Sequence, residues 1–239
     1  MEIVCVAVAL ILLNWLLIAI YCRIEKYIDN KKFAREAKQE SNIGMISEKE
    51  SIVKKIYHWV NAYIYGWVRY NIILTGHVPS YRIRKLFYKC IYAMKLSKKT
   101  VIFGGCEFRS PWNITIGNST IGANCILDGR GRIYIADDVV LGSGVHIWTE
   151  EHSINDPYFR VLKENLQPVS IKRHSWVCSD TTILPGICIG EGAVLASRAC
   201  ATSDCLPYCV YGGIPARKIS ERNKDLKYEL SGKVSWHFM

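Results

Sequence analysis

The chain has no Cys-x-x-Cys pair, no charged residue between Ile3 and Cys22, no Lys or Arg before that run, and no histidine between His77 and His146. Each absence excludes something. The ten cysteines stand singly at irregular spacing, which argues against a disulfide framework or a zinc site and suits a reducing compartment. A cleaved leader would begin with Lys or Arg and end in a small-x-small site, whereas Glu2 precedes the apolar run and Tyr21-Cys22-Arg23 follows it. Residues 1–22 are therefore expected to form a retained transmembrane helix. Its twenty uncharged positions, at about 1.5 Å each, span the roughly 30 Å of a bilayer core. Arg23, Lys26, Lys31, Lys32 and Arg35 all follow the run, so the positive-inside bias puts the rest of the chain on the cytoplasmic side of a single-pass membrane protein.

The net charge of +10 is localised: residues 23–100 carry 17 Lys and Arg against 6 Asp and Glu, while residues 101–239 carry 14 of each. A basic stretch beside an anchor fits anionic lipid head groups. No nucleic-acid-binding motif accompanies it, so nucleic acid is not an expected partner. Within this juxtamembrane region Val53, Ile56, Tyr57, Val60, Tyr63, Ile64, Trp67 and Val68 recur at three- and four-residue steps, with Lys54, Lys55, His58 and Asn61 opposite. The pattern predicts an amphipathic helix that either lies in the head-group plane or caps the following domain. A second amphipathic segment, Arg82 to Met94, carries the same two readings.

From about residue 101 the period changes to six. Ile171, Val177, Ile183, Ile189, Leu195 and Ala201 are spaced six apart, and four places after each stand Ser175, Thr181, Ile187, Ala193, Ala199 and Cys205, mostly small. Ile121, Leu127 and Ile133 keep the step upstream, as do Ile135, Leu141 and Ile147, with a two-residue slip between Ile133 and Ile135. A period of six is neither helical nor strand alternation. Three such units make one triangular turn of a solenoid, aliphatics inward and small residues at the corners, where several of the cysteines fall. The expected fold is mainly β: a left-handed parallel β-helix over 101–219, preceded by the transmembrane and amphipathic helices and followed by a tail, 220–239.

The repeat breaks once, over Trp148 to Pro168. Long excursions from a regular scaffold are commonly functional. This one carries His152, and an imidazole with a pKa near 6.5 suits a general base for an alcohol. His146, between inward Val145 and Ile147, is expected to point out from a flat side.

These residues resemble the hexapeptide-repeat acyltransferases, in the branch of maltose, galactoside and capsule sugar O-acetyltransferases. The resemblance covers Pro79 to Arg222 and rests on Ile121-Gly122-Ala123-Asn124-Cys125-Ile126-Leu127-Asp128, Gly144 through His152, Ser175-Trp176-Val177, Leu184-Pro185-Gly186 and Gly212-Gly213-Ile214-Pro215-Ala216-Arg217. It implies a homotrimer with acetyl-CoA in a groove between adjacent β-helices, no metal, and His152 deprotonating the acceptor hydroxyl. It further implies that Asn124 and Asp128 lie on the acceptor side, that Trp176 lines the acetyl and pantetheine pocket, that the Ser179 and Ser197 backbone bonds the pantetheine arm, and that Arg217 faces the CoA phosphates. Corner-turn chemistry is the alternative account of Asn124 and Asp128. Two departures stand out: Ser203 occupies the place of a usual lysine, and Arg198 that of a usual glycine. The implied reaction is O-acetylation of a sugar on a surface polysaccharide or lipid-linked glycan precursor. The other readings are a catalytically inactive trimeric scaffold and a zinc carbonic anhydrase, which would need three histidine ligands.

Overall fold

The computed structural model describes residues 2–36, 51–161 and 166–234. Three helices, α1 (Glu2–Glu36), α2 (Ile52–Gly76) and α3 (Tyr81–Cys90), precede seventeen short strands in the described residues. The strands fall into three sheets, one on each side of a triangular prism. The first side holds β1 (Lys95–Leu96), β4 (Ile114–Ile116), β7 (Ile133–Ile135), β10 (Val169–Ile171) and β13 (Cys188–Ile189). The second holds β2 (Val101–Ile102), β5 (Thr120–Ile121), β8 (Val140–Leu141), β11 (Trp176–Val177), β14 (Val194–Leu195), β16 (Cys209–Gly212) and β17 (Arg217–Glu221). The third holds β3 (Glu107–Arg109), β6 (Ile126–Asp128), β9 (His146–Ile147), β12 (Thr182–Ile183) and β15 (Cys200–Ala201). All pairings within these sheets are parallel except that of β16 with β17.

The hexapeptide period sets this geometry. After the excursion partners on neighbouring coils, such as Trp176 and Val194 or Thr182 and Cys200, stand eighteen residues apart, which is three units per coil; before it they stand 19 or 20 apart. The in-phase aliphatics Ile121, Leu127, Leu141, Ile147, Val177, Ile183, Ile189 and Leu195 are all buried in one continuous core. Each contributes about 1.5–3 kcal/mol through removal from water. The two-residue slip has a simple origin. In β7 both Ile133 and Ile135 point inward with Tyr134 outward between them, and Ile114/Ile116 and Val169/Ile171 repeat the arrangement.

At several corners a hydroxyl or thiol also satisfies a carbonyl of the next coil. The hydroxyls of Ser119 and Ser175 donate to the carbonyls of Ala136 and Gly190, one coil on, at 2.7 and 2.8 Å. The thiols of Cys106 and Cys125 make the same bond to Gly122 and Gly142, both at 3.2 Å. Between the second and third sides Asn124, Gly144, Asp180 and Arg198 stack in left-handed backbone. Gly144 is needed there twice over, since a Cβ would also strike the Asp180 carboxylate.

The helices close the prism's first end. The last turns of α2 bury Val68, Ile72 and Thr75, and the Gly76 carbonyl accepts the Gly105 amide at 2.8 Å. A Cβ on Gly76 would lie 2.9 Å from the Cys106 carbonyl. The first turns leave Ile52, Trp59 and Tyr63 exposed. The second half of this helix thus caps the prism, while its first half stays exposed. Arg84 of α3 is wholly buried and donates to the carbonyls of Pro79 and Ile102 at 2.9 and 3.1 Å, and also to that of Val78. A guanidinium that satisfies so many carbonyls ties the α2–α3 turn to the first coil.

At about 1.5 Å per residue α1 is roughly 50 Å long, more than the roughly 30 Å of a bilayer core. It does not end at Cys22. Trp15 packs edge-on to Phe87, and Asp29 accepts from the Trp112 indole and the Asn113 amide at 2.8 and 2.7 Å. Arg23 and Lys26, part of the basic flank expected to face lipid, donate to the carbonyls of Cys90 and Ala93 instead. Residues 37–50 of that flank lie outside the described residues. At the far end the chain turns back after β17 and runs along the corner between the first two sides. There the Leu230 amide donates to Asp138 at 2.8 Å, and the His174 ring donates to the Tyr228 carbonyl at 3.0 Å.

Inward and outward positions should therefore differ sharply. Leu127→Ala is expected to cost about 2–5 kcal/mol, and Tyr134→Ala less than about 1 kcal/mol, in urea unfolding of the detergent-solubilised chain. Equal costs would refute the assigned register.

Candidate active site

The excursion leaves the coil after β9 and returns at β10. Val140 pairs with Trp176 across a step of 36 residues where the other coils take 16 to 20, so the loop adds about one coil's length without disturbing the ladder. Its base is sewn shut: the Gln167 amide donates to the Thr149 carbonyl at 2.9 Å, and Glu150 bridges Leu166. Inside it, the Ser153 amide donates to the Arg160 carbonyl at 2.9 Å, and the Arg160 guanidinium grips Asp156 through both carboxylate oxygens at 2.9 and 2.7 Å. That grip holds the Asp156 carboxyl down at about 2.

His152 is positioned by this hairpin. Its Nδ1 lies 2.7 Å from the Phe159 carbonyl, and its ring stacks on the Phe159 ring with centroids 4.3 Å apart. A carbonyl only accepts, so Nδ1 carries the proton and Nε2 keeps its lone pair. Position and tautomer are set by one contact. His146, on β9, points outward from the third side, edge-on to Trp148. Trp148 in turn lies under the Arg109 guanidinium, 4.9 Å away. Burial works against the Glu107 charge, yet Arg109 and Arg69 hold its carboxyl below the usual range.

Asp128, read as an acceptor-side carboxylate, is fully buried, and Arg130 covers it with bonds of 2.9 and 2.5 Å. Arg130 reaches on to Glu150 at the foot of the loop. Burial opposes the Arg130 charge, and Asp128 and Glu150 more than offset it, so its pKa is raised. Asn124 sits at the corner between the second and third sides with φ of 57°. Trp176 projects from the second side between Val140 and Val194, about half exposed. Ser179 and Ser197 occupy equivalent corner places on successive coils, and the Ser179 carbonyl accepts the Arg198 amide at 3.0 Å. Arg217 opens β17, exposed at the prism's end. Thus Trp176, Ser179, Ser197 and Arg217 line the second side and its edge, and His152 hangs beyond the third. The histidine left over in the repeat, His174, is buried under the tail at a different corner.

Sequence reasoning missed Phe159, the Asp156–Arg160 clamp and the Arg130 link. Opposite charges four apart in Asp156 and Arg160, and two apart in Asp128 and Arg130, were the only signals for them.

No protein-family model matches the chain. Among known proteins, chloramphenicol acetyltransferase of Morganella morganii is 43% identical over 61 residues, 26% of this chain and 29% of that protein. The chain therefore spans less than a third of the length of these first relatives. The colanic acid biosynthesis acetyltransferase candidate WcaF of Escherichia coli K12 is 27% identical over 133 residues, 55% of this chain and 71% of that one. Among solved structures, a hexapeptide-repeat acetyltransferase, VCA0836 of Vibrio cholerae, complexed with acetyl-CoA, superposes with a TM-score of 0.58 at 22% identity, covering 64% of this chain and 85% of the other. The maltose O-acetyltransferase of Clostridium difficile 630 gives 0.56 at 24%, covering 64% and 84%. A galactoside acetyltransferase in complex with coenzyme A gives 0.57 at 24%, covering 66% and 85%. At these identities the structural likeness speaks for the fold.

The loop clamp is testable by carbon NMR of its carboxylate. Asp156 should titrate at about 2, and in Arg160→Gln, which keeps the backbone amide bond to the carboxylate, it should rise part of the way toward the ordinary value of about 3.9. Because the folded value is depressed, the clamp's contribution is present above pH of about 4 and fades as pH falls toward 2. An unshifted Asp156 in the parent would remove the clamp.

Proposed function

We propose that the chain is a hexapeptide-repeat acetyltransferase, and that it transfers an acetyl group from acetyl-CoA to a hydroxyl of a surface polysaccharide or lipid-linked glycan precursor, at the cytoplasmic face of the membrane. The observation that carries this reading is the tautomer of His152. With Nδ1–H committed to the Phe159 carbonyl, Nε2 is a ready base on an exposed loop. A hydroxyl is a poor nucleophile until its proton is taken, which is the service a positioned imidazole provides. The acceptor O–H proton passes to Nε2, the oxygen bonds to the thioester carbonyl carbon, the C–S bond breaks, and His152 returns the proton to the departing CoA sulfur. The protein forms no covalent bond to the acetyl group.

Acetyl-CoA is the donor in this reading, lying along Trp176, Ser179 and Ser197 with its phosphates toward Arg217. Asn124 faces the acceptor, and Asp128 acts on that side through Arg130, which joins it to Glu150 at the loop's foot. The donor residues and His152 belong to different sides of one prism, so a complete site needs a second copy, as in a homotrimer. The exposed Ile154, Tyr158 and Phe159 at the loop tip favour a loop that rests on a neighbouring subunit. The membrane address rests on α1, whose exposed Val4 through Leu17 face leaves an apolar surface uncovered.

His152→Ala should lower transfer by about 10²- to 10⁴-fold while acetyl-CoA still raises the melting temperature. His146→Ala, which removes only an edge contact to Trp148, should stay within about threefold of the parent. Turnover of acetyl-CoA with de-O-acetylated surface glycan is the measurement, and a near-parent His152→Ala would overturn the assignment.

A further inference from the structure

Beside Asn124 there is a hollow of about 310 Å³ that the repeat alone does not make. One wall is backbone of the first two coils, Gly104, Gly105 and Ala123. The other is the α2–α3 turn, with Gly76, His77 and Pro79. The Gly105 amide's bond to the Gly76 carbonyl, at 2.8 Å, stitches the walls together. Gly105 stands at φ of 74°, and the Asn124 side chain lies over it in the place a Cβ would fill. Bare backbone on both sides is what keeps the hollow open.

Two polar groups face the matter of occupancy. The His77 ring donates from Nδ1 to the Ile73 carbonyl at 2.8 Å, one turn back in α2. That contact sets its tautomer, so Nε2 is an acceptor, and among the described residues it has no partner. The Asn124 amide is likewise unengaged among the described residues, and it offers both donors and an acceptor. No Lys or Arg lines the hollow, which counts against a phosphate. Neutral donors and acceptors over glycine backbone, beside the apolar edges of Pro79 and Ala123, suit the hydroxyls and C–H face of an uncharged sugar. The volume lies at the lower end of ligand pockets, enough for a small unit.

We propose that His77 is a specificity-determining residue of the acceptor subsite: its Nε2 accepts a hydrogen bond from a sugar hydroxyl that Asn124 holds from the other wall. This rests on the transferase reading above and adds to it a part of the chain outside the repeat. The helix that delivers His77 is the one whose first turns expose Trp59 and Tyr63, and whose Trp67 lies ten residues, about 15 Å, before it. A glycan tethered in the membrane beside those aromatics would meet this hollow with its first units.

The ring also caps α2, so two substitutions separate the roles. His77→Asn can keep the donor to Ile73 but lacks a group at Nε2, and His77→Gln places an amide near Nε2. With de-O-acetylated surface glycan and acetyl-CoA, His77→Asn should raise the acceptor KM about tenfold, as expected for one lost hydrogen bond. Its kcat and its KM for acetyl-CoA should hold within about twofold, and His77→Gln should recover most of the loss. In histidine-¹⁵N spectra of the full chain in detergent, the glycan should move the His77 Nε2 resonance and acetyl-CoA should not. Equal behaviour of the Asn and Gln variants, or a His77 resonance unmoved by saturating glycan, overturns the proposal, whether or not the parent turns the glycan over. If His152→Ala keeps transfer, the fault lies with the general-base assignment; if only the His77 readouts fail, it lies here.

Discussion

None of the parallel strands in this prism could survive alone. Nearly all are two or three residues long, and a strand's backbone donors find their carbonyls only on the adjoining coil. The chain must therefore come back to the same side after three units, every time, with an aliphatic pointing inward at each. The corner residues serve that return: hydroxyls and thiols bond one coil on, and residues in left-handed backbone donate to the coil before. Everything else in the molecule is attached to this ladder or closes one of its ends.

A stiff ladder tolerates a long insertion only if both feet of the loop re-enter in register. Thr149 shows how this is done. Its carbonyl accepts Gln167, and its hydroxyl donates to the Asp128 carbonyl and accepts the Gly131 amide. Asp128, Arg130 and Glu150 then brace the loop's foot against the coil above it. Further out, the Asp156–Arg160 clamp folds the tip back so that the Phe159 carbonyl reaches His152. His152 is thus held by a chain of contacts that begins in the repeat core. The first end of the prism is covered by α2 and α3, and at the last coil β17 pairs antiparallel with β16 on the second side.

Much of this was legible in the residues. The step of six from Ile171 to Ala201 identified the coil, and Trp148 to Pro168 stood out because nothing in it keeps that step. His152 was recognisable as a loop imidazole beside a regular scaffold. Other features were hidden for definite reasons. The slip at Ile133 looked like a flaw because one sequence does not reveal that a three-residue strand can point both ends inward. Asp128 looked available because its cover, Arg130, is only two residues away, and side-chain direction is not written in spacing. Arg23 and Lys26 looked like lipid-facing charge because their acceptors, at Cys90 and Ala93, lie 67 residues further along the chain.

By itself the sequence determined the repeat, the inward and outward alternation, the apolar helix and the site of the excursion, because each of these is a local pattern read over a few dozen residues. Only the tertiary structure decided which nitrogen of His152 is free, which carboxylate is covered, and that the α2–α3 turn comes to lie against Asn124. Those depend on contacts between residues far apart in the chain. A histidine's tautomer is set by whichever carbonyl the fold brings to it, and no spacing rule carries that information.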